Sequence, residues 1–292
     1  MAVVPTCAST EPAIPDVLPG SLGSVVAALG KRAVLYHLYS SRGARIYHDS
    51  THLDVSEVRV LRSVLRRYDG PILELAAGSG RLTSPLLRAN REVTAIELNP
   101  DMIALLHEHI RDLPEKMRKR LTVHCGDMAD FDLPGRFGVV VLGAASISIL
   151  DEDGRARMFA AVRRHLAPGG VMLFSIVVPA GGQPGAEPGP ADDIDMDVVM
   201  DVNGASGNRY RIHEYRAAGA VERLVGVYPL AADDRVAETG PVPVCVGLHR
   251  VLPLESVQAE VHRAGLVTRN QHVYTHPDQG LSEVFLEVGE AS

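Results

Sequence analysis

The chain contains no Trp, only 4% aromatic residues and three cysteines in 292 positions. Cys7, Cys125 and Cys245 are far apart, odd in number and without metal-ligand spacing, so they indicate neither a disulfide framework nor a zinc site and read as reduced thiols. No apolar run approaches the length of a membrane span, and nothing near Met1 joins a positive segment to an apolar stretch and a cleavage site. The expectation is a cytoplasmic protein with no membrane partner. A basic stripe is also missing: the formal net charge is -7 and the Lys and Arg residues are scattered, which argues against a surface built to neutralise phosphates and hence against a nucleic-acid partner.

What is present is ordinary for a globular chain, with 46% hydrophobic and 22% charged residues. The length suits one core domain with an elaborated insertion. Residues 1–20, rich in Pro, Ser, Thr and Ala, carry no helical period and read as a flexible tail. Residues 21–67 place apolar side chains at helical spacing and predict a helical cap. From residue 68 to 178 strands alternate with helices: PILEL, EVTAIEL, LTVHC, FGVVVLG and VMLFSIVV, separated by helices starting near Leu82, Pro100 and Asp151. The last two strands are almost uninterrupted apolar runs, as in strands covered on both faces. This order predicts a doubly wound, Rossmann-like α/β sheet.

A Pro/Gly-rich segment and the acidic run Asp192, Asp193, Asp195 and Asp197 open residues 179–250, expected as an insertion that handles the acceptor. The acidic run reads most simply as a solvated loop. RYRIHEYR and VERLVGVYPL predict an antiparallel hairpin, and residues 251–292 supply a helix and the last strands.

The chemistry concentrates at strand ends. In ILELAAGSGRL an apolar strand ends in Glu74, and Gly78 and Gly80 turn the chain into a helix, leaving the backbone open to a ligand. The second strand ends in Glu97, where a carboxylate can grip the two hydroxyls of a ribose, and the third leads to Asp127, where one can accept from an exocyclic amine. Ligands of open α/β sheets bind at these carboxyl ends. The glycines lack the third member of G-x-G-x-x-G, which disfavours a nicotinamide-dependent oxidoreductase.

Residues 74–80 match the pattern E/D-x-G-x-G-x-G with Ala76 at the first glycine. With Glu97, the Asp127-Met128 pair, GAASISIL from Gly143 and HLAPGG before the fifth strand, the chain resembles class I S-adenosyl-L-methionine (SAM)-dependent methyltransferases. The resemblance covers residues 39–178 and implies a seven-stranded sheet with SAM as cofactor. It places Glu74 near the methionine amino group, Ala76, Gly78 and Gly80 along the methionine and ribose, Glu97 and Leu98 at the ribose, Asp127 and Met128 at adenine, and Gly143 at the acceptor side. It also implies that an N-terminal tyrosine-bearing segment closes over the donor, which selects Tyr39 and Tyr47. The N-P-P-Y type signature of base-amino methyltransferases is absent.

Composition and the GAASISIL and RMFAAVRRHLAPGG segments are similar to methyltransferases that tailor bacterial natural products, among them those that N-methylate the terminal amine of daptide-type ribosomal peptides. The implied partner is a small-molecule or peptide acceptor, with O- or C-methylation as the alternative. His213, Glu214 and His249 in the insertion are the candidate proton acceptors.

Overall fold

The computed structural model describes residues 14–51, 56–179, 195–276 and 281–291. Most of the expected tail, and the Pro/Gly-rich segment with Asp192 and Asp193, lie outside them. In chain order the strands are β1 (Ala33–His37), β2 (Ile72–Leu75), β3 (Val93–Glu97), β4 (Leu121–Cys125), β5 (Phe137–Leu142), β6 (Leu166–Pro179), β7 (Met196–Asn203), β8 (Arg209–Arg216), β9 (Glu222–Leu230), β10 (Val242–Arg250), β11 (Leu266–His276) and β12 (Leu281–Glu290). The helices are α1 (Gly20–Leu29), α2 (Ser41–Thr51), α3 (Ser56–Arg67), α4 (Thr83–Arg88), α5 (Pro100–His109), α6 (Glu115–Arg118), α7 (Glu152–His165) and α8 (Leu254–Arg263). The described residues fall into two compact units: 56–179 with 252–291, and 14–51 with 195–251.

The first unit is a seven-stranded sheet of order β11-β12-β6-β5-β2-β3-β4. The five strands from β6 to β4 are parallel, and β12 runs antiparallel to both β6 and β11. Strand order reverses between β2 and β5, so the carboxyl ends of these two strands border a crevice. The apolar runs are explained by two-sided burial: every residue of β2 and of β5 is buried. One face packs on α7 and α8 through Met158, Phe159, Val257 and Val261, the other on α3, α4 and α5 through Val64, Leu86 and Leu106.

Local chemistry sets the helix starts that position the crevice. Asn99 caps α5, its side chain accepting from the Asp101 N–H at 2.8 Å with Pro100 in the first turn. Asp151 caps α7 by accepting from the Gly154 N–H at 2.7 Å. A buried bidentate pair joins α7 to α8, with Arg155 Nε and Nη2 each 2.7 Å from a Glu260 oxygen. Burial of both charges makes this pair costly to break from one side.

The second unit is a five-stranded sheet of order β1-β10-β9-β8-β7. Only β1 pairs in parallel, with β10; the remaining neighbours are antiparallel. Leu22, Val25, Val26 and Leu29 of α1 pack on one face with Leu224, Tyr228 and Val244, and Ile46 and Tyr47 of α2 pack on the other with Tyr210, Val227 and Cys245. Asp49 fastens α2 to the turn between β7 and β8: its carboxylate accepts from Ser206 N–H at 2.7 Å and from the Tyr210 hydroxyl at 2.6 Å.

Several expectations need correction. The expected hairpin of β8 and β9 is the middle of a larger sheet. The segment expected as a helical cap includes strand β1, and its last helix, α3, packs with the seven-stranded sheet. Of the described half of the acidic run, exposed Asp195 lies outside the strands and accepts from the Ala218 N–H at 2.8 Å, whereas Asp197 is not in a loop: it is the second residue of the alternately exposed strand β7 and accepts from the Ser21 hydroxyl at 2.5 Å. Of the cysteines expected as reduced thiols, Cys245 is free and buried, and Cys7 lies outside the described residues.

Candidate active site

The crevice at the reversal of strand order is lined by the turn after β2. Three consecutive features shape it: Ala76 with φ 49°, Gly78 with φ 55° and Gly80 with φ 89°. Left-handed backbone suits glycine, and an alanine there costs about 1–2 kcal/mol. Ala76 therefore sits in the conformation for which a glycine would be expected, not in a relaxed φ below zero. Gly80 is also confined by packing, since a Cβ would lie 3.0 Å from Leu106 Cγ, whereas a Cβ on Gly78 would meet nothing nearer than the Ala76 carbonyl at 4.0 Å. The turn thus backs onto α5 on one side and onto open space on the other.

Two buried carboxylates stand at neighbouring strand tips. Glu74, 2% exposed, accepts from the Thr83 hydroxyl at 2.6 Å. Burial pushes its carboxyl up to about 8, a rise offset in part by the Thr83 hydrogen bond and the charge of Arg81. Glu97 ends β3 and reaches back to the turn: Oε2 accepts from the Gly78 N–H at 2.8 Å and Oε1 from the Asn99 N–H at 2.9 Å. Burial raises its pKa and these backbone N–H groups, with that of Leu98, pull it down again. Each Glu97 oxygen keeps a second lone pair, so the residue retains capacity for a diol. Asp127 lies past the end of β4, accepting from the Ala129 N–H at 2.8 Å, and Met128 packs against the apolar cluster beneath. Glu74, Ala76, Gly78, Gly80, Glu97, Leu98, Asp127, Met128 and Gly143 all belong to the first unit, on the carboxyl side of adjacent strands.

Those residues fit SAM. An open glycine turn and acidic side chains at three neighbouring strand ends offer the acceptors that a ligand with an ammonium, a ribose and an exocyclic amine needs, and they outnumber the cations there, suiting a sulfonium. Among the described residues no group of His, Cys, Asp or Glu is arranged to hold a metal.

The remaining candidates lie in the second unit, where strand alternation separates them. Tyr39 and Tyr47 meet edge to face with centroids 5.2 Å apart, and the Tyr39 hydroxyl is 3.2 Å from His249 Nε2. Burial, aided by the charges of Arg223 and His37, pushes the His249 imidazole down to about 3, so it is neutral near pH 7. Glu214 is half-buried and paired with Arg223. His213 points to the other face of the sheet, between the Ser21 hydroxyl at 2.7 Å and the Tyr228 hydroxyl at 3.1 Å. It therefore does not join Glu214 and His249 in one constellation, and burial lowers its pKa.

Four polar residues of the crevice were not expected: Glu57, Arg81, Thr83 and Ser175. Glu57 had a signal, because it occupies the stripe that continues as Val60, Leu61 and Val64, where a carboxylate is out of place unless partnered.

Comparison with known proteins agrees with this geometry. A family model described as a methyltransferase domain matches residues 72–170. The chain is 31% identical to a glycopeptide N-methyltransferase, MtfA, whose structure with S-adenosyl-L-homocysteine superposes with a TM-score of 0.64 over 94% of this chain and 100% of that one. It is 30% identical over 150 residues to the dTDP-3-amino-3,6-dideoxy-alpha-D-glucopyranose N,N-dimethyltransferase of Streptomyces fradiae, covering 49% of this chain and 52% of that enzyme. To the malonyl-[acyl-carrier protein] O-methyltransferase of Chlorobium phaeovibrioides it is 32% identical over 136 residues, 44% of this chain and 50% of that one. The chain spans about half the length of these two curated relatives. It belongs to the class I SAM-dependent methyltransferases. No helix among the described residues is long and apolar enough to cross a membrane.

Proposed function

We propose that the protein transfers a methyl group from SAM to an amine of a small-molecule or peptide natural product. The observation that carries this reading is the pair of buried carboxylates, Glu74 and Glu97, at adjacent strand tips around an open glycine turn. The whole-length likeness to a glycopeptide N-methyltransferase supports an amine over other acceptors. The terminal amine of a daptide-type peptide is the narrower form of the proposal.

SAM, when bound, supplies a methyl group on a sulfonium. Glu97 would then bind the ribose hydroxyls, Glu74 the ammonium of the amino-acid part, whose charge favours the ionised carboxylate, and Asp127 with Met128 the adenine. Positioning of this kind is worth about 7–11 kcal/mol of barrier at its upper limit, so little other chemistry is required of the protein. An amine must lose a proton to accept a methyl group. His249 and Glu214, on one face of the sheet with Tyr39, remain the candidate groups, but an imidazole pushed down to about 3 is a weak base, so His249 is suited to orienting the amine by a hydrogen bond rather than to keeping its proton. His213, enclosed on the opposite face, is assigned to holding α1 instead.

The test is calorimetric titration with S-adenosylhomocysteine, with NADH in parallel, followed by mass spectrometry of amine-bearing peptides and aminosugars incubated with SAM. Saturable binding of S-adenosylhomocysteine and methyl-mass increments on an amine are expected. Binding of NADH alone would move the protein to hydride transfer, and modification of hydroxyl-bearing acceptors only would select O-methylation.

A further inference from the structure

Glu57 lies in the first turn of α3 and is 4% exposed. A buried carboxylate is tolerated only when its oxygens are well partnered, and here the partners come from three different elements. Oε1 accepts from the Ala144 N–H at 2.7 Å, in the loop after β5, and from the Ser175 hydroxyl of β6 at 3.4 Å. Oε2 pairs with the Arg81 guanidinium, which directly follows Gly80 in the turn after β2. The two sides of the crevice, turn and loop, thus meet on one side chain.

The loop needs an outside hold. Ala144 and Ala145 have φ of 56° and 49°, left-handed values that cost alanine about 1–2 kcal/mol each. Their backbone N–H groups are taken by Glu57 and by the Ser175 hydroxyl, the latter at 3.1 Å. Gly143 permits the approach: a Cβ there would collide with Leu82 Cδ1 and stand 3.3 Å from Glu57 Oε1.

We propose that Glu57 is a positioning residue that braces the glycine turn after β2 against the acceptor-facing loop after β5, fixing both lips of the crevice before any ligand arrives. Its purpose rests on the donor site proposed above, although its geometry does not. One carboxylate serves two arms: a hydrogen-bond arm to Ala144, which a neutral acceptor can replace, and an ionic arm to Arg81, which it cannot.

The experiment is hydrogen exchange by mass spectrometry on the ligand-free full chain, comparing wild type with Glu57→Ala, Glu57→Gln and Arg81→Met. Loss of one hydrogen bond to a charged group corresponds to about a tenfold or greater rise in local exchange. Glu57→Ala is expected to show that rise in both the 76–84 turn and the 143–150 loop. Glu57→Gln and Arg81→Met should show it in the turn alone, with the loop protected as in wild type. If Glu57→Ala does not fold, the other two variants carry the test. Wild-type exchange in the turn of Glu57→Gln and Arg81→Met would overturn the proposal, as would a uniform rise over turn, loop and sheet that merely follows melting temperature. Calorimetry with S-adenosylhomocysteine separates the two readings: failure of wild type to bind removes the donor site, whereas the exchange pattern alone decides whether Glu57 is the brace.

Discussion

In the seven-stranded unit, five neighbouring strands run parallel, the acidic side chains of Glu57, Glu74 and Glu97 are buried around a crevice, and the Arg155–Glu260 pair is buried between α7 and α8. In the five-stranded sheet all pairings but one are antiparallel, and among its buried polar groups Asp49, His213 and His249 fasten helices or meet aromatic side chains. The first arrangement concentrates electrostatic cost where a charged ligand is to be gripped. The second uses its buried polar groups to tie helices, turns and aromatic side chains to the sheet.

That contrast can be broken from either side. Arg155→Ala should have the largest effect, destabilising the protein by about 3–5 kcal/mol because Glu260 is left buried and unpaired, as read by denaturant unfolding. Glu97→Ala should weaken S-adenosylhomocysteine binding by about thirtyfold, or ~2 kcal/mol, in calorimetry; unchanged affinity would remove the ribose assignment. Asp49→Ala should cost about 2 kcal/mol, seen as a lowered melting temperature, because the Tyr210 hydroxyl and Ser206 N–H lose their acceptor.

Acidity offers a finer probe. Glu74 stays protonated in the folded chain up to about pH 8, while its carboxyl ionises near 4.5 when exposed. Between these values the unfolded chain binds fewer protons, so stability falls as pH rises, by at most about 1.4 kcal/mol per pH unit. Melting curves from pH 5 to 8 should show this slope in wild type and a flatter one in Glu74→Gln. The smallest expected effect is a gain: Ala76→Gly should relieve the left-handed strain, and after the greater chain entropy of glycine is subtracted the net rise should be below about 1 kcal/mol.

The same contrast governs what the sequence made legible. Parallel strands buried on both faces leave unbroken apolar runs, and their helices begin at Asn99 and Asp151, residues with strong capping chemistry. The places of Glu74, Glu97 and Asp127 near the carboxyl ends of neighbouring strands were therefore readable by counting strands. The second sheet left weaker traces. Strand β7 reads MDVVMDVN, in which Asp197 continues the acidic run and suggests a loop until Ser21 is seen to meet it. Strand β1 is five half-buried residues whose partner lies far along the chain. The separation of His213 from His249 depends on which face each strand presents, and that register is set by pairing rather than by composition. Glu57 was visible only as a charge in an apolar stripe, and its partners follow from the loops that tertiary structure brings to it.

The parallel pairing of Ala33 with Val242 carries a consequence for synthesis. As the chain leaves the ribosome, β1 appears early and stays without its neighbour until β10 has been made, after all the parallel strands of the other sheet. Non-local pairing of this kind is slow, and its unpaired edges are exposed meanwhile. The five parallel strands can pair with one another during that wait, and the edge of β6 in turn stays open until β12, made last of all, arrives to cover it.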